Sequence, residues 1–226
     1  MISTVLLDVD NTLLDFNACA LASMQDAFHT FDLPFSKEVV FPTFLRINDQ
    51  LWTQIEEGNL TKGEHYRIRW NLILKELDID FNGIRLEDQF VEGLHHYAVP
   101  IQGALELVSY LSQKYMVCTA SNAPCSQQKQ RLKTAGLFSY FDRFYFSETI
   151  GHQKPSKDFF AFCLKDLGIQ DPEKVVMIGD SYKADIQGAN SCGIKTIWYD
   201  AKSSKRVDTS CSDHIVHSLL EIKKIL

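Results

Sequence analysis

Val5-Leu6-Leu7-Asp8-Val9-Asp10-Asn11-Thr12-Leu13-Leu14 is the stretch on which the reading of the chain turns. A short apolar run enters two carboxylates one residue apart, and a hydroxyl and further apolar residues follow. Residues 5–7 show no polar alternation, so they read as a strand buried on both faces, as in a parallel sheet. Asp8 and Asp10 then stand at its carboxyl end, where open α/β sheets bind ligands. Two acids placed there repel each other and lose hydration. A divalent cation would offset that cost, and all-oxygen ligands favour Mg²⁺. The stretch by itself equally admits a solvated Asp-rich turn, so the choice falls to the rest of the chain.

Beyond Leu14 the pattern changes. Residues 15–97 contain no convincing strand and several helical periods. Ala22, Met24, Ala27, Phe28 and Phe31 fit one helix ending before Pro34, and Ser36 with Val39 opens a short further segment. Phe44, Ile47, Leu51, Trp52 and Ile55 mark another, stopped by Gly58. Thr61 and Glu64 have capping-box spacing ahead of a helix through Trp70, Ile73 and Leu74. Leu86, Phe90 and Leu94 give one more. Near Pro100 strands return: 116–120, 144–146, 175–178, 196–199 and 215–216 alternate with helical periods over 103–111, 126–135 and 155–167, through Ile186 to Cys192, and after Ser218, which with Glu221 has capping-box form. Pro155 is placed at the first turn of its helix. This alternation predicts an α/β fold, a doubly wound parallel sheet. Its core would comprise residues 1–14 and 98–226, with an all-helical block inserted over 15–97.

The 226 residues are 45% hydrophobic and 23% charged, the composition of a globular chain with a substantial core. The formal net charge of −6 argues against nucleic acid as a partner. No apolar stretch reaches membrane-spanning length, and the early acids break any leader-like run, so no membrane partner and a cytoplasmic location are expected. Six cysteines without a CxxC pair suit a reducing compartment. His95-His96 lacks zinc-helix spacing and reads as surface or packing. Lys202 to Arg206 reads as a small solvated basic loop.

Three expected strands end in polar groups: Asp8 and Asp10, Ser121 and Asn122, and Gly179-Asp180. Strand ends of one parallel sheet lie on one edge, so these groups can converge although they are far apart in sequence. Lys154, on a loop before a helix, can project a cation into the same space. Taken singly, each has an ordinary explanation as a turn, cap or surface residue. Their joint occurrence in this order favours a site.

With these residues in hand, the chain resembles the haloacid dehalogenase superfamily in its phosphatase branch. Asp8-Val9-Asp10-Asn11-Thr12 is similar to that family's DxDxT motif, Ser121 to the Ser/Thr of its second motif, Lys154 to the third, and Gly179-Asp180-Ser181-Tyr182-Lys183-Ala184-Asp185 to GDSxxxD. Where near relatives commonly have Thr-Asn-Gly, this chain has Ser121-Asn122-Ala123, and alanine restricts the loop backbone. Thr119 is a rival source of the second-motif hydroxyl.

The resemblance implies a Rossmann-like core with a helical cap, and a Mg²⁺-dependent phosphomonoester hydrolase acting through an aspartyl-phosphate. It implies Asp8 as nucleophile and Asp10 as general acid and then base. The phosphoryl oxygens would be bound by Ser121, the backbone N–H of Asn122, and Lys154. Mg²⁺ would be held by Asp8, the Asp10 carbonyl and Asp180, with Thr12 and Asp185 in supporting positions. The helical block also resembles the cap of the pyrimidine 5′-nucleotidase branch, through segments that include Asn48, Lys62, Arg67 and Arg69, which either touch a base or ribose or are solvated, the solvated reading being favoured for most of them. A nucleoside 5′-monophosphate is therefore the expected substrate. A phosphoglycolate-type or sugar-phosphate phosphatase stands next, and a phosphomutase, a dehalogenase or an inactive binding module is further off. The cap is expected to close and exclude water. Monomer and homodimer both remain open.

Overall fold

The computed structural model describes residues 1–204 and 208–226. Lys205 and Arg206 of the basic loop lie outside the described residues. The chain divides into two compact units, one formed by Met1–Phe16 with Ala98–Leu226 and the other by Asn17–Tyr97.

The first unit is built on six parallel strands: β1 (Thr4–Leu7), β2 (Met116–Ser121), β3 (Arg143–Phe146), β4 (Val175–Gly179), β5 (Lys195–Tyr199) and β6 (His214–Val216). Their spatial order is β3-β2-β1-β4-β5-β6. Side chains alternate across the sheet, so each strand feeds two cores. Val5, Leu7, Val117, Val176 and Ile178 pack on one face with Leu107, Val108 and Leu111 of helix α5 (Ala104–Ser112). Leu6, Cys118, Ala120, Val175 and Met177 pack on the other with Phe159, Phe160 and Cys163 of a helix over Lys157–Asp166. Burial on both faces is what the unalternating apolar runs predict. The order reverses at β1, whose neighbours are β2 and β4, so the ends of those three strands stand side by side. That is the switch point at which doubly wound sheets bind ligands.

Local details depart from expectation in three places. Pro155 follows a cis peptide bond and precedes Ser156, whose hydroxyl caps the Lys157–Asp166 helix by accepting from Asp158 N–H, so the proline lies outside the helix. Residues Tyr182–Gln187 form a π-helical turn rather than an α-helix. The C-terminal segment Leu219–Lys224 is 3₁₀ and also not an α-helix.

The second unit holds four helices: α1 (Phe16–Thr30, which begins one residue earlier), α2 (Lys37–Glu56), α3 (Lys62–Glu76) and α4 (Gly83–His96). The two segments expected over 36–55 are one helix that runs through Pro42. Pro42 lies early in α2, so its missing N–H frees only the carbonyl of exposed Glu38. The capping box of Thr61 and Glu64 forms at the start of α3. Trp70 centres the core, with Phe28, Phe44 and Phe90 at 5.7, 5.6 and 5.4 Å between ring centroids.

Of the four residues for most of which the solvated reading is favoured, Asn48 and Arg69 are buried in this unit. Arg69 Nε donates to Glu87 at 3.1 Å and Nη1 to Asn48 Oδ1 at 3.0 Å, and its guanidinium lies 4.9 Å from the Phe90 centroid. These contacts replace the water a buried guanidinium would lose. Arg67 is exposed and Lys62 half-buried.

Burial, with the charges of Arg69 and Lys62, lowers the His65 imidazole to about 3. The fold therefore holds this ring neutral, while the unfolded chain protonates it near the ordinary value of about 6.5. Stability from this group is complete above that value and is lost as pH falls toward 3, by up to about 1.4 kcal/mol per pH unit. Urea unfolding of the wild type and a His65→Leu variant at pH 7 and pH 5 checks this. The wild type is expected to lose more stability between the two than the variant, and equal losses would show that His65 is not the titrating group.

Candidate active site

The site grows from the end of β1. Asp8 N–H donates to Ile178 O at 2.9 Å, which carries the ladder one residue past the strand and fixes Asp8 against β4. The chain then turns tightly: Asn11 N–H donates to Leu14 O at 2.7 Å, and Leu13 and Leu14 N–H both donate to Val9 O. Asn11 takes a left-handed φ of 60°, which asparagine tolerates better than most residues. The turn returns Thr12 to Asp8. Thr12 Oγ1 lies 3.2 Å from Asp8 Oδ2 and 3.3 Å from Asp180 Oδ1, and accepts from Asp180 N–H at 3.0 Å. One hydroxyl thus ties the end of β1 to the end of β4.

Lys154 reaches the same space. Its Nζ donates to Asp8 Oδ1 at 2.7 Å, Asp185 Oδ1 at 2.6 Å and Ala120 O at 2.5 Å, three acceptors for the three protons of an ammonium. The Asn122 side chain clasps the Lys154 backbone from both sides, with Nδ2 donating to Lys154 O and Oδ1 accepting from Lys154 N–H, each at 2.9 Å. The Asn122 amide therefore positions the lysine loop. Asp185 is brought in by the π-helical turn, and Ser181 N–H donates to its Oδ2 at 3.0 Å. Its carboxylate packs where a Cβ on Gly179 would stand, so that position admits only glycine. Trp198 Nε1 donates to Asp180 O at 2.9 Å from β5, and its ring packs edge-on against Tyr182 with centroids 5.0 Å apart.

Asp8, Asp180 and Asp185 offer carboxylate oxygens that all lie within 4.8 Å of one another. Burial is the main reason that all three acids are raised. Asp8 stands at about 7, with Lys154 pulling it down and the charges of Asp185 and Asp10 pushing it up. Burial alone would lower the Lys154 ammonium, but the charges of Asp185 and Asp8 outweigh it and leave the group raised. Three carboxylates face one ammonium, so the cluster holds two formal negative charges in excess. A hard divalent cation, bound through oxygen, fits both the charge and the donor set.

Ser121 ends β2 beside this cluster. Its Oγ accepts from Ala123 N–H at 3.2 Å and from Gln128 Nε2 at 3.3 Å, which leaves the hydroxyl proton for an outside acceptor. Ala123 keeps a negative φ, so the loop accommodates alanine in place of glycine. Thr119 lies inside the sheet, where its hydroxyl accepts from Tyr145 N–H at 3.1 Å. The Asp10 side chain is held apart from the three-acid group by its own partners. It receives Arg131 Nη1 on Oδ1 at 2.5 Å and Gln128 Nε2 on Oδ2. Arg131 and Gln128, on the helix α6 (Cys125–Thr134), were not apparent from the sequence as site residues. The available signal was a polar helix in a fold whose helices must each bury one face, with 128 and 131 one turn apart.

The haloacid dehalogenase-like hydrolase model matches residues 2–193. The chain is 31% identical to HAD-hydrolase YfnB of Bacillus subtilis, over 99% of its own length and 94% of the relative's. A crystal structure of YfnB bound to magnesium superposes with a TM-score of 0.94, over 100% of this chain and 98% of the other. Pyrimidine 5′-nucleotidase PynA of Streptococcus pneumoniae is 32% identical over 87% of this chain and 83% of its own. Pyrimidine 5′-nucleotidase YjjG of Escherichia coli is 26% identical over 98% and 96%. No helix among the described residues is long and apolar enough to cross a membrane. A parallel α/β sheet with this arrangement at its switch point, matched across most of the chain, places the protein in the haloacid dehalogenase-like hydrolase family, as an enzyme of the phosphatase kind.

Proposed function

We propose that the protein hydrolyses small phosphomonoesters by way of an aspartyl-phosphate on Asp8, with a pyrimidine nucleoside 5′-monophosphate as substrate. The observation that carries the reading is the convergence of Asp8, Ser121, Lys154 and Asp180 at the neighbouring ends of β1, β2 and β4. In the first step an Asp8 carboxylate oxygen attacks phosphorus and the ester P–O bond breaks. The departing oxygen keeps the electron pair and takes the proton of Asp10. In the second, water attacks the same phosphorus, Asp10 accepts its proton, and the bond from phosphorus to Asp8 breaks. The free proton of Ser121 and the N–H of Asn122 hold the non-bridging oxygens, and the Lys154 ammonium beside Asp8 offsets their charge. Magnesium bound by Asp8, the Asp10 carbonyl and Asp180 would supply a fixed divalent charge beside the anionic phosphoryl group.

Asp10 favours phosphate esters over haloacids, because a departing halide needs no proton whereas an alkoxide does. The substrate class rests on the likeness to PynA and YjjG.

Phosphate release from a panel of nucleoside monophosphates, sugar phosphates and phosphoglycolate, with Mg²⁺ or EDTA, tests the reading. Preference for UMP, dUMP or dTMP, lost in EDTA, is the expected result. Preference for a sugar phosphate or phosphoglycolate would overturn the substrate class and leave the mechanism standing, and no release from any ester would overturn both. An Asp8→Asn variant is expected to lose activity by about 10⁴-fold or more with its circular dichroism unchanged. A variant that still turns over would remove Asp8 as nucleophile.

A further inference from the structure

We infer that Arg131 and Gln128 are positioning residues that aim the Asp10 carboxylate at the departing oxygen. The inference rests on the reading of Asp10 as the acid and base of a phosphatase. Arg131 is wholly buried, while a quarter of the Asp10 side chain remains exposed. Burying a guanidinium is costly unless a carboxylate and further hydrogen bonds compensate it, so its presence on an otherwise polar helix needs a reason. The geometry supplies one. Arg131 Nη1 holds Asp10 Oδ1 and also donates to Gln128 Oε1 at 3.2 Å. With its carbonyl so engaged, the Gln128 amide turns its NH₂ toward Asp10 Oδ2 and Ser121 Oγ.

Both Asp10 oxygens are therefore gripped from one side by two residues a turn apart on α6. The same helix starts four residues after Ser121, and Gln128 N–H donates to Pro124 O at 3.0 Å, so strand end and helix start form one short connected piece. The group that would bind the phosphoryl oxygen and the group that would move the proton are thus set at a fixed separation by one amide. The Asp10 carboxylate is thus held in place relative to Ser121 before any substrate arrives.

A purely structural ion pair would tie α6 to the β1 loop and affect all substrates alike. A positioning role would matter most where the departing oxygen needs a proton. The test is kcat/KM for p-nitrophenyl phosphate, phenyl phosphate and p-methoxyphenyl phosphate, which share a shape and differ in leaving-group basicity. Arg131→Met and Gln128→Leu are compared with the wild type, and Gln128→Leu keeps the test open if the arginine variant fails to fold. The expected result is a loss on the two basic leaving groups that exceeds the loss on p-nitrophenyl phosphate by about 10-fold or more, any loss common to all three being the disturbance of Ser121. In an Asp10→Ala background, Gln128→Leu is expected to add no further dependence on the leaving group. Equal losses across the series, or none, would overturn the positioning role and leave the phosphatase reading intact. Failure of the wild type to hydrolyse any of the three would overturn that reading, and this inference with it.

Discussion

Excess negative charge in a desolvated space is the constraint on which the first unit depends. Asp8, Asp180 and Asp185 crowd together with one ammonium among them, and burial pushes each acid toward its protonated form. Much of the surrounding detail serves to hold this unfavourable arrangement. Asn122 fixes the lysine loop, Thr12 bridges two of the acids, Gly179 makes room for the third, and Trp198 holds the Asp180 backbone from the next strand. Catalytic sites commonly concentrate such strain, because groups poised against their surroundings are the ones that react.

The sheet order makes the concentration possible. With β1 between β2 and β4, residues 8, 121 and 180 become neighbours although over a hundred positions separate the first from either of the others. None of these side chains has to reach far, and each stands on or next to a strand held by packing on both faces. A nucleophile on such a support keeps its position better than one on a free loop.

Much of this was legible in the chain, for a physical reason. Strands buried on both faces leave unalternating apolar runs, and the polar residues that end those runs must lie on one edge. Asp8, Ser121 and Asp180 could be read that way from the sequence. Arg131 and Gln128 could not, because a polar helix looks solvated until its partner is known, and the partner of Arg131 lies 121 residues away. The burial of Asn48 and Arg69 is not legible for the same reason, since Asn48, Glu87 and two aromatic rings surround the Arg69 guanidinium only once the helices pack. The π-helical turn at Tyr182–Gln187 carries no hydrophobic period of its own. It carries Asp185, whose Oδ1 accepts from Lys154 Nζ.

The excess of negative charge among Asp8, Asp180 and Asp185 predicts that the cluster takes a divalent cation through Asp8 and Asp180. Calorimetric titration of Mg²⁺ into the EDTA-treated protein and into its Asp180→Asn variant measures this binding. One ion per chain is predicted for the wild type, with the affinity of the variant lower by about 10-fold or more. Failure of the wild type to bind Mg²⁺, or equal affinity in the two proteins, would show that Asp8 and Asp180 do not form a cation site.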